Sequence, residues 1–300
     1  MREALVGTIE GRDLGRYGVW TADFEFMPVA AIRDVVQELD QSGWKAIWIP
    51  EAFGREAMTN AGFLLSCTEN ITVVNAIASI WPRTAAATHA ASVLLADAYP
   101  GRHVLGLGFG DARPGIKPME AVTKFLDELD SAFCTAPVPP GPRPRLLAAY
   151  GPQMIKLAHE RAQGAHTYHV PVEHTSQARE LLGPEAFLGV EQSVIFEKDA
   201  DKARERARAQ LRPYFTTRYN IAKFLRLGYT EADIDGGRGS DRLVDDLVVW
   251  GDLDTILTRV QQHVEAGADH VSIQVMGPEL GRFPVNEWRQ LSEALLPANA

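Results

Sequence analysis

In the stretch WKAIWIPEAFGRE, Trp44 to Glu56, an apolar run ends in an acid. Ala46-Ile47-Trp48-Ile49 leads into Pro50, and Glu51 follows, with Ala52 directly after it. An acid carried at the end of an apolar strand can do general acid or base work when it lies partly buried beside an apolar surface. The same acid can instead accept hydrogen bonds from Trp20, Thr21 or backbone N–H groups and shape a rim. Both readings stand at this point. A second stretch, GLGFGD (106–111), is rich in glycines, which let a backbone approach a flat ring closely. It spells G-x-G-x-G rather than G-x-G-x-x-G, and Pro114 stands where a dinucleotide-binding helix would open. A third, HTYHV, offers His166 and His169, but on a strand these two face opposite sides and make no metal pair. His89, His103, His159, His174, His263 and His270 read as packing or surface groups. No G-x-S-x-G occurs, so no serine nucleophile is placed by motif.

Eight short apolar runs must position these residues. They are 17–23, 46–51, 72–79, 103–110, 145–151, 164–170, 188–197 and 270–276. Most are apolar on both faces, the pattern of parallel strands covered by helices. Amphipathic segments alternate with them. PVAAIRDVVQELDQSG puts Val29, Ile32, Val35, Val36 and Leu39 on one face, and DLDTILTRVQQHVEAG does the same with Ile256, Val260 and Val264. DKARERARAQL reads as a charged, outward-facing helix. Strand followed by helix, eight times, predicts an α/β fold, a (β/α)8 TIM barrel in a single domain over 1–300, with an open doubly wound sheet as the rival. The Pro-rich piece APVPPGPRPR (136–145) reads as a stiff connection, and 228–242, rich in Gly and Asp, as a lid or surface excursion. In such barrels the chemistry sits at the C-terminal ends of the strands. That rule selects Thr21, Asp23, Glu51, Ser79, Gly108 to Asp111, Tyr150, Gly151, His166 to His169, Glu197, Gln274 and Met276.

The 300 residues are 46% apolar and 23% charged, an ordinary balance for one sizeable core. A net charge of −9 with no basic run argues against binding nucleic acid through phosphates. No apolar run is long enough for a signal peptide or a membrane span, so a cytoplasmic protein without membrane partners is expected. The two cysteines, Cys67 and Cys134, stand far apart and read as reduced packing residues. Trp20, Trp48 and Trp81 fall near strand ends and could wall an apolar pocket for an aromatic or aliphatic small-molecule substrate. Core packing explains at least one of them equally well, since alternation turns Trp48 away from Ile47 and Ile49, toward only one of the barrel interior and the helix layer. Arg83, just after Trp81-Pro82, could pair with a ligand carboxylate or make a surface ion pair.

Four segments, GWKAIWIPEAFGR, NAIASIWPRTAAATHAASVLLADAYPGRHVLGLGFG, AAYGPQMIKLAHERAQGAH and AGADHVSIQVM, resemble the bacterial luciferase-like superfamily. Within it they look closest to the branch of deazaflavin (coenzyme F420)-dependent oxidoreductases. The resemblance implies a barrel that binds coenzyme F420, or FMN, at the strand C-termini. It places the ring over a bulge in the third strand, matching Ala76, Ile77, Ala78 and Ser79, where members of the family carry a non-prolyl cis peptide. That bond would fall near Ala76–Ile77. Gly108, Phe109, Gly110 and Asp111 match the loop at the ring edge, and Gly151, Gly164, Ala165 and His166 match regions near the cofactor tail. Family members commonly have an acid followed by histidine at the end of the second strand. Here the pair is Glu51-Ala52, so the role of that histidine falls either to Glu51, the candidate catalytic group, or to another residue. What the resemblance implies is a hydride-transferring oxidoreductase. The alternatives are an FMN-dependent monooxygenase or a non-catalytic flavin-binding protein. Relatives pair as homodimers, which the resemblance carries over as an expectation.

Overall fold

A computed structural model describes residues 7–52, 54–110 and 113–297. The barrel is built from β1 (Tyr17–Trp20), β2 (Ala46–Ile49), β3 (Thr72–Asn75), β4 (His103–Gly108), β5 (Arg145–Ala148), β6 (Gly164–Thr167), β7 (Phe187–Phe196) and β8 (His270–Val275). Each pairs in parallel with its neighbours in chain order, and β8 pairs with β1, so the sheet closes. This is a (β/α)8 barrel, and all eight strands lie where the apolar runs put them.

Closure follows from two-residue alternation. Val19, Ile47, Ile49, Val73, Leu105, Leu107, Leu147, Leu188, Val190, Val271 and Ile273 point outward into the main core under the helices. Trp20, Ala46, Trp48, Val74, Ala76, Val104, Leu146 and Phe187 point inward and fill the lumen. A small antiparallel hairpin, Thr8–Ile9 with Arg12–Asp13, brings Ile9 and Leu14 into the same lumen cluster. The helical layer comprises α1 (Val29–Gln41), α2 (Ala57–Ser66), α3 (Ala85–Ala98), α4 (Pro118–Asp130), α5 (Pro152–Arg161) and α6 (Val172–Leu182). Ile32, Val36 and Leu39 form the buried stripe of α1, at the expected spacing. No helix among the described residues is long and apolar enough to cross a membrane.

The interval between β7 and β8 is more structured than its sequence suggests. It holds α7 (Ala200–Thr216), α8 (Arg218–Arg226), α9 (Glu231–Ile234), α10 (Asp241–Leu247), an extra strand Val248–Gly251 and α11 (Leu253–Glu265), and α12 (Val285–Leu295) follows β8. The charged helix α7 does turn its charges outward, but Ala203, Ala207, Leu211 and Phe215 make a buried stripe. That stripe packs with Phe224, Tyr229, Ile234, Leu243, Val244 and Leu247 into a second core. The segment 228–242 is therefore tied down by Tyr229 and Ile234. The extra strand pairs with Ser193–Phe196 and accounts for the length of β7.

Candidate active site at the C-terminal mouth of the barrel

On one side of the mouth, β3 breaks. The peptide bond Ala76–Ile77 is cis, and the chain resumes as a two-residue strand, Ala78–Ser79, paired with Leu107 and Gly108 of β4. Glycines make this possible by absence of bulk. A Cβ at Gly106 would stand 1.9 Å from the Asn75 carbonyl oxygen, and one at Gly108 would meet the Ile77 side chain at 2.8 Å. Gly110, at φ +68°, would strike the Ser79 hydroxyl at 2.6 Å. Phe109 packs edge-on against Trp81, with ring centres 5.2 Å apart, and the Arg113 guanidinium lies 4.3 Å from that indole's centre. Asp111 lies outside the described residues.

Glu51 stands beside this break and is bound on several sides. Its own N–H donates to the Ile77 carbonyl at 3.2 Å. Its carboxylate accepts from the Ser79 N–H at 2.8 Å and the Ala57 N–H at 3.1 Å, and it pairs with the Arg83 guanidinium. Arg83 also contacts Glu56 at 2.7 Å and donates to the Ser79 carbonyl at 3.2 Å. Arg83 thus ties Glu51, Glu56 and Ser79 together, neither free for a ligand nor at the open surface. The donors on Glu51 are backbone N–H groups and Arg83, not Trp20 or Thr21. Ala52 is exposed at the rim.

Across the mouth, β6, β7 and β8 present a buried polar group that the strand-end rule captured only in part. Glu191 is 1% exposed. It accepts from the His169 N–H at 3.0 Å and from the Ser193 hydroxyl at 2.6 Å, and the His169 ring nitrogen Nδ1 lies 3.4 Å away. Burial works against its charge, yet His169 and these hydrogen bonds outweigh it and hold the carboxyl below the usual range. Lys223 of α8, also 1% exposed, donates to the carbonyls of His169 at 3.0 Å and Tyr168 at 3.3 Å. Burial drives this ammonium down to about 7, against the pull of Glu191. Tyr168 donates to Gln274 at 3.2 Å, receives a 3.5 Å contact from the Tyr214 hydroxyl, and stacks on Trp20 with centres 4.9 Å apart.

Glu191 was legible and missed. Period two from Gly189 puts Glu191 and Ser193 on the lumen face, but the strand runs to Phe196, and the end rule pointed to Glu197. Glu197 only caps a turn, accepting from Asp199 N–H at 3.0 Å. Lys223 carries no such signal, because only tertiary packing brings α8 to the mouth.

Four anticipated residues lie elsewhere. Gly164 and Ala165 begin β6, below the mouth, and a Cβ at Gly164 would meet the Phe187 carbonyl oxygen at 1.9 Å. That glycine serves strand contact, not a cofactor tail. His166 is inside the lumen, its Nδ1 3.2 Å from the Gly189 carbonyl and its ring 4.8 Å from Trp48. Burial pushes it down to about 4, so it is uncharged at neutral pH. Trp48 is wholly buried, donates to His270 at 2.9 Å, and occupies the space that Gly189 leaves open. It is lumen core, not pocket wall. Gly151, in contrast, caps α5 at the mouth, where a Cβ would lie 3.7 Å from the Arg226 guanidinium carbon.

Among curated proteins no sequence match is found. Solved structures resemble the whole chain. The coenzyme F420-dependent tetrahydromethanopterin reductase from Methanopyrus kandleri aligns with a TM-score of 0.71 at 17% identity, covering 94% of this chain and 98% of the reductase. An F420-dependent secondary alcohol dehydrogenase bound to an F420–acetone adduct aligns with a TM-score of 0.68 at 14% identity, over 93% and 96%. The oxygenating constituent of 3,6-diketocamphane monooxygenase from Pseudomonas putida, in complex with FMN, gives 0.63 at 15% identity, over 94% and 96%. At these identities the likeness concerns the fold. The family model for luciferase-like monooxygenases matches residues 10–119 and 117–270, and the chain belongs to that family.

Proposed function

We propose that the protein is a coenzyme F420-dependent oxidoreductase that moves a hydride to or from a small organic substrate. The observation that carries the reading is the shape of the mouth. One wall, Ala76, Ile77, Ala78, Gly108 and Gly110, offers backbone and small apolar side chains, a surface suited to a planar ring. The facing wall offers hydroxyl, carboxamide and imidazole groups. A tail bearing negative charge would find Arg226 beside the N-terminus of α5 at Gly151, where backbone N–H groups favour anions. The residues present therefore fit the group. When bound, a deazaflavin supplies a carbon that accepts or gives up hydride.

The chain's own residues do the rest. Glu51 and Arg83 hold the broken strand in register, so the ring-bearing wall is fixed before ligand arrives. Trp20 and Tyr168 provide an aromatic floor that excludes water. Glu51 remains the first acid to test for proton transfer, since it is the carboxylate beside the break. Fluorescence titration of the purified protein with coenzyme F420 and FMN side by side decides the cofactor. Saturable F420 binding is expected, and its absence ends the proposal. The second reading is FMN, which the monooxygenase of the same fold binds. It predicts a yellow protein after purification and oxygen consumption when a reductase is supplied.

A further inference from the structure

Just beyond β6, His169 takes a left-handed backbone conformation, φ +50°, that residues other than glycine seldom adopt. Strain of this kind persists where the surroundings over-determine it. Here Lys223 donates to the His169 and Tyr168 carbonyls, and Glu191 accepts from the His169 N–H. The imidazole lies in the polar wall, its centre 3.8 Å from that of the Tyr168 ring and 4.6 Å from that of Tyr214. Its neighbours fix where its proton sits. Ser193 gives its one proton to Glu191 at 2.6 Å, so toward His169 the hydroxyl oxygen can only accept. Glu191 is ionised and can only accept as well. His169 Nδ1 lies 3.4 Å from each. A ring nitrogen that faces two acceptors carries the proton, which leaves the lone pair of a neutral imidazole on Nε2. Burial pulls this imidazole below its ordinary value; Glu191 opposes the fall and Lys223 adds to it, so the ring is uncharged at neutral pH. Among the described residues Nε2 has no hydrogen-bond partner, yet it is not sealed: the 1% of the side chain left open includes this atom. On the opposite wall Glu51 has no such free lone pair aimed outward, since Ala57, Arg83 and Ser79 take both its oxygens.

We propose that His169 Nε2 is the proton acceptor of the mouth and that Glu191 is its positioning residue. The inference rests on the hydride-transfer reading. As a substrate carbon gives its hydride to the deazaflavin carbon, the proton on the heteroatom bonded to that carbon passes to Nε2. The electron pair of the broken heteroatom–hydrogen bond closes the new double bond, and the reverse reaction returns the proton from the imidazolium. Two measurements on the native protein test this at neutral pH. Long-range proton–nitrogen correlation NMR, with the His169 signals identified by their loss in His169→Gln, should show the proton on Nδ1 and none on Nε2. Diethylpyrocarbonate acylates open, unprotonated imidazole nitrogens. It should label His169 at least about tenfold faster than His263 and His270, whose nitrogens are all bonded and react only through local opening. Saturating F420 should slow the labelling of His169. In Glu191→Gln the partner can donate as well as accept, so a mixture of tautomers should appear, a change that loss of packing alone does not produce. Should that variant melt early, the native protein still decides the role of Nε2. A proton on Nε2, a labelling rate no faster than that of His263, or labelling indifferent to bound F420 overturns the inference, and a tautomer unmoved by Glu191→Gln removes Glu191 from its role. Failure of F420 to bind overturns the cofactor reading instead, and the tautomer and labelling rate of the unliganded protein then still decide whether His169 is the open base.

Discussion

Glu51 carries two competing assignments that a single substitution separates. As a rim anchor, its oxygens bind Ser79, Ala57 and Arg83 with about a tenth of the side chain exposed. Glu51→Gln removes the ionic part of that cluster and leaves Arg83 facing one acid fewer. A loss of roughly 1–3 kcal/mol in unfolding free energy is expected by chemical denaturation. If stability is unchanged while turnover falls and its pH profile loses a limb, proton transfer is the correct role. Lys223 makes a second residue-scale prediction. Its folded-state value of about 7 lies below its ordinary 10.5. Between those values the unfolded chain holds a proton that the folded chain has released, so this group makes stability rise with pH from about 7 upward. Below pH 7 both states are protonated and its contribution is flat. Urea unfolding from pH 6.5 to 9.5 should show a positive slope in the native protein and a shallower one in Lys223→Met. Equal slopes would mean that the ammonium is not the titrating group.

At the level of elements, the close approach of β3 and β4 depends on what is missing from β4. Gly106→Ala would force a methyl group to 1.9 Å from a backbone oxygen, which no rotamer can relieve. Gly108→Ala meets only side-chain atoms, Ile77 at 2.8 and 2.9 Å and the Ala148 Cβ at 3.0 Å, and the Ile77 chain can turn aside where a carbonyl oxygen cannot. Gly106→Ala should therefore cost about 3 kcal/mol or more, or prevent folding, while Gly108→Ala costs less. Melting temperatures of the two variants check the order. The same contrast explains what could be read in advance. Strand existence follows from apolar runs, and the break at Ala76–Ile77 came from resemblance to a family whose members carry it. Trp48 could be assigned to one of two faces by alternation, but not to which, because that depends on Gly18 and Gly189 clearing space for His270 and for the indole. The family resemblance places Gly164 near the cofactor tail, and only the packing of β7 on β6 gives it a strand-contact role, because a glycine that admits a ligand and one that admits a neighbouring strand are the same letter. The packing of α7 to α10 was out of reach, since a charged helix and a Gly-rich stretch give no sign that Phe215, Phe224, Tyr229 and Ile234 meet.

For the whole molecule, the two walls of the mouth come from distant stretches of chain. Residues 76–83, 108–110 and 113–115 form one, and 150–154, 168–169, 191–193, 218–226 and 274 form the other. A ligand that bridges them couples the first half of the barrel to the excursion after β7. Ligand that binds only the folded state adds about 2.7 kcal/mol at one hundred times its Kd. Local opening at the contacted segments should be suppressed along with global unfolding. Hydrogen exchange with saturating F420 should therefore slow in 76–83, in 108–110, in 113–115 and in α8 together, and leave α1 and α12 at their unliganded rates. α8 is the informative segment. It reaches the mouth through the Lys223 contacts to Tyr168 and His169, so protection there reports that both walls close on one ligand. Protection limited to 76–83, 108–110 and 113–115 would mean a ring held on one wall with the polar wall unused. Protection centred on α1 and α12 would place the ligand in the helical layer and remove the barrel mouth as the site.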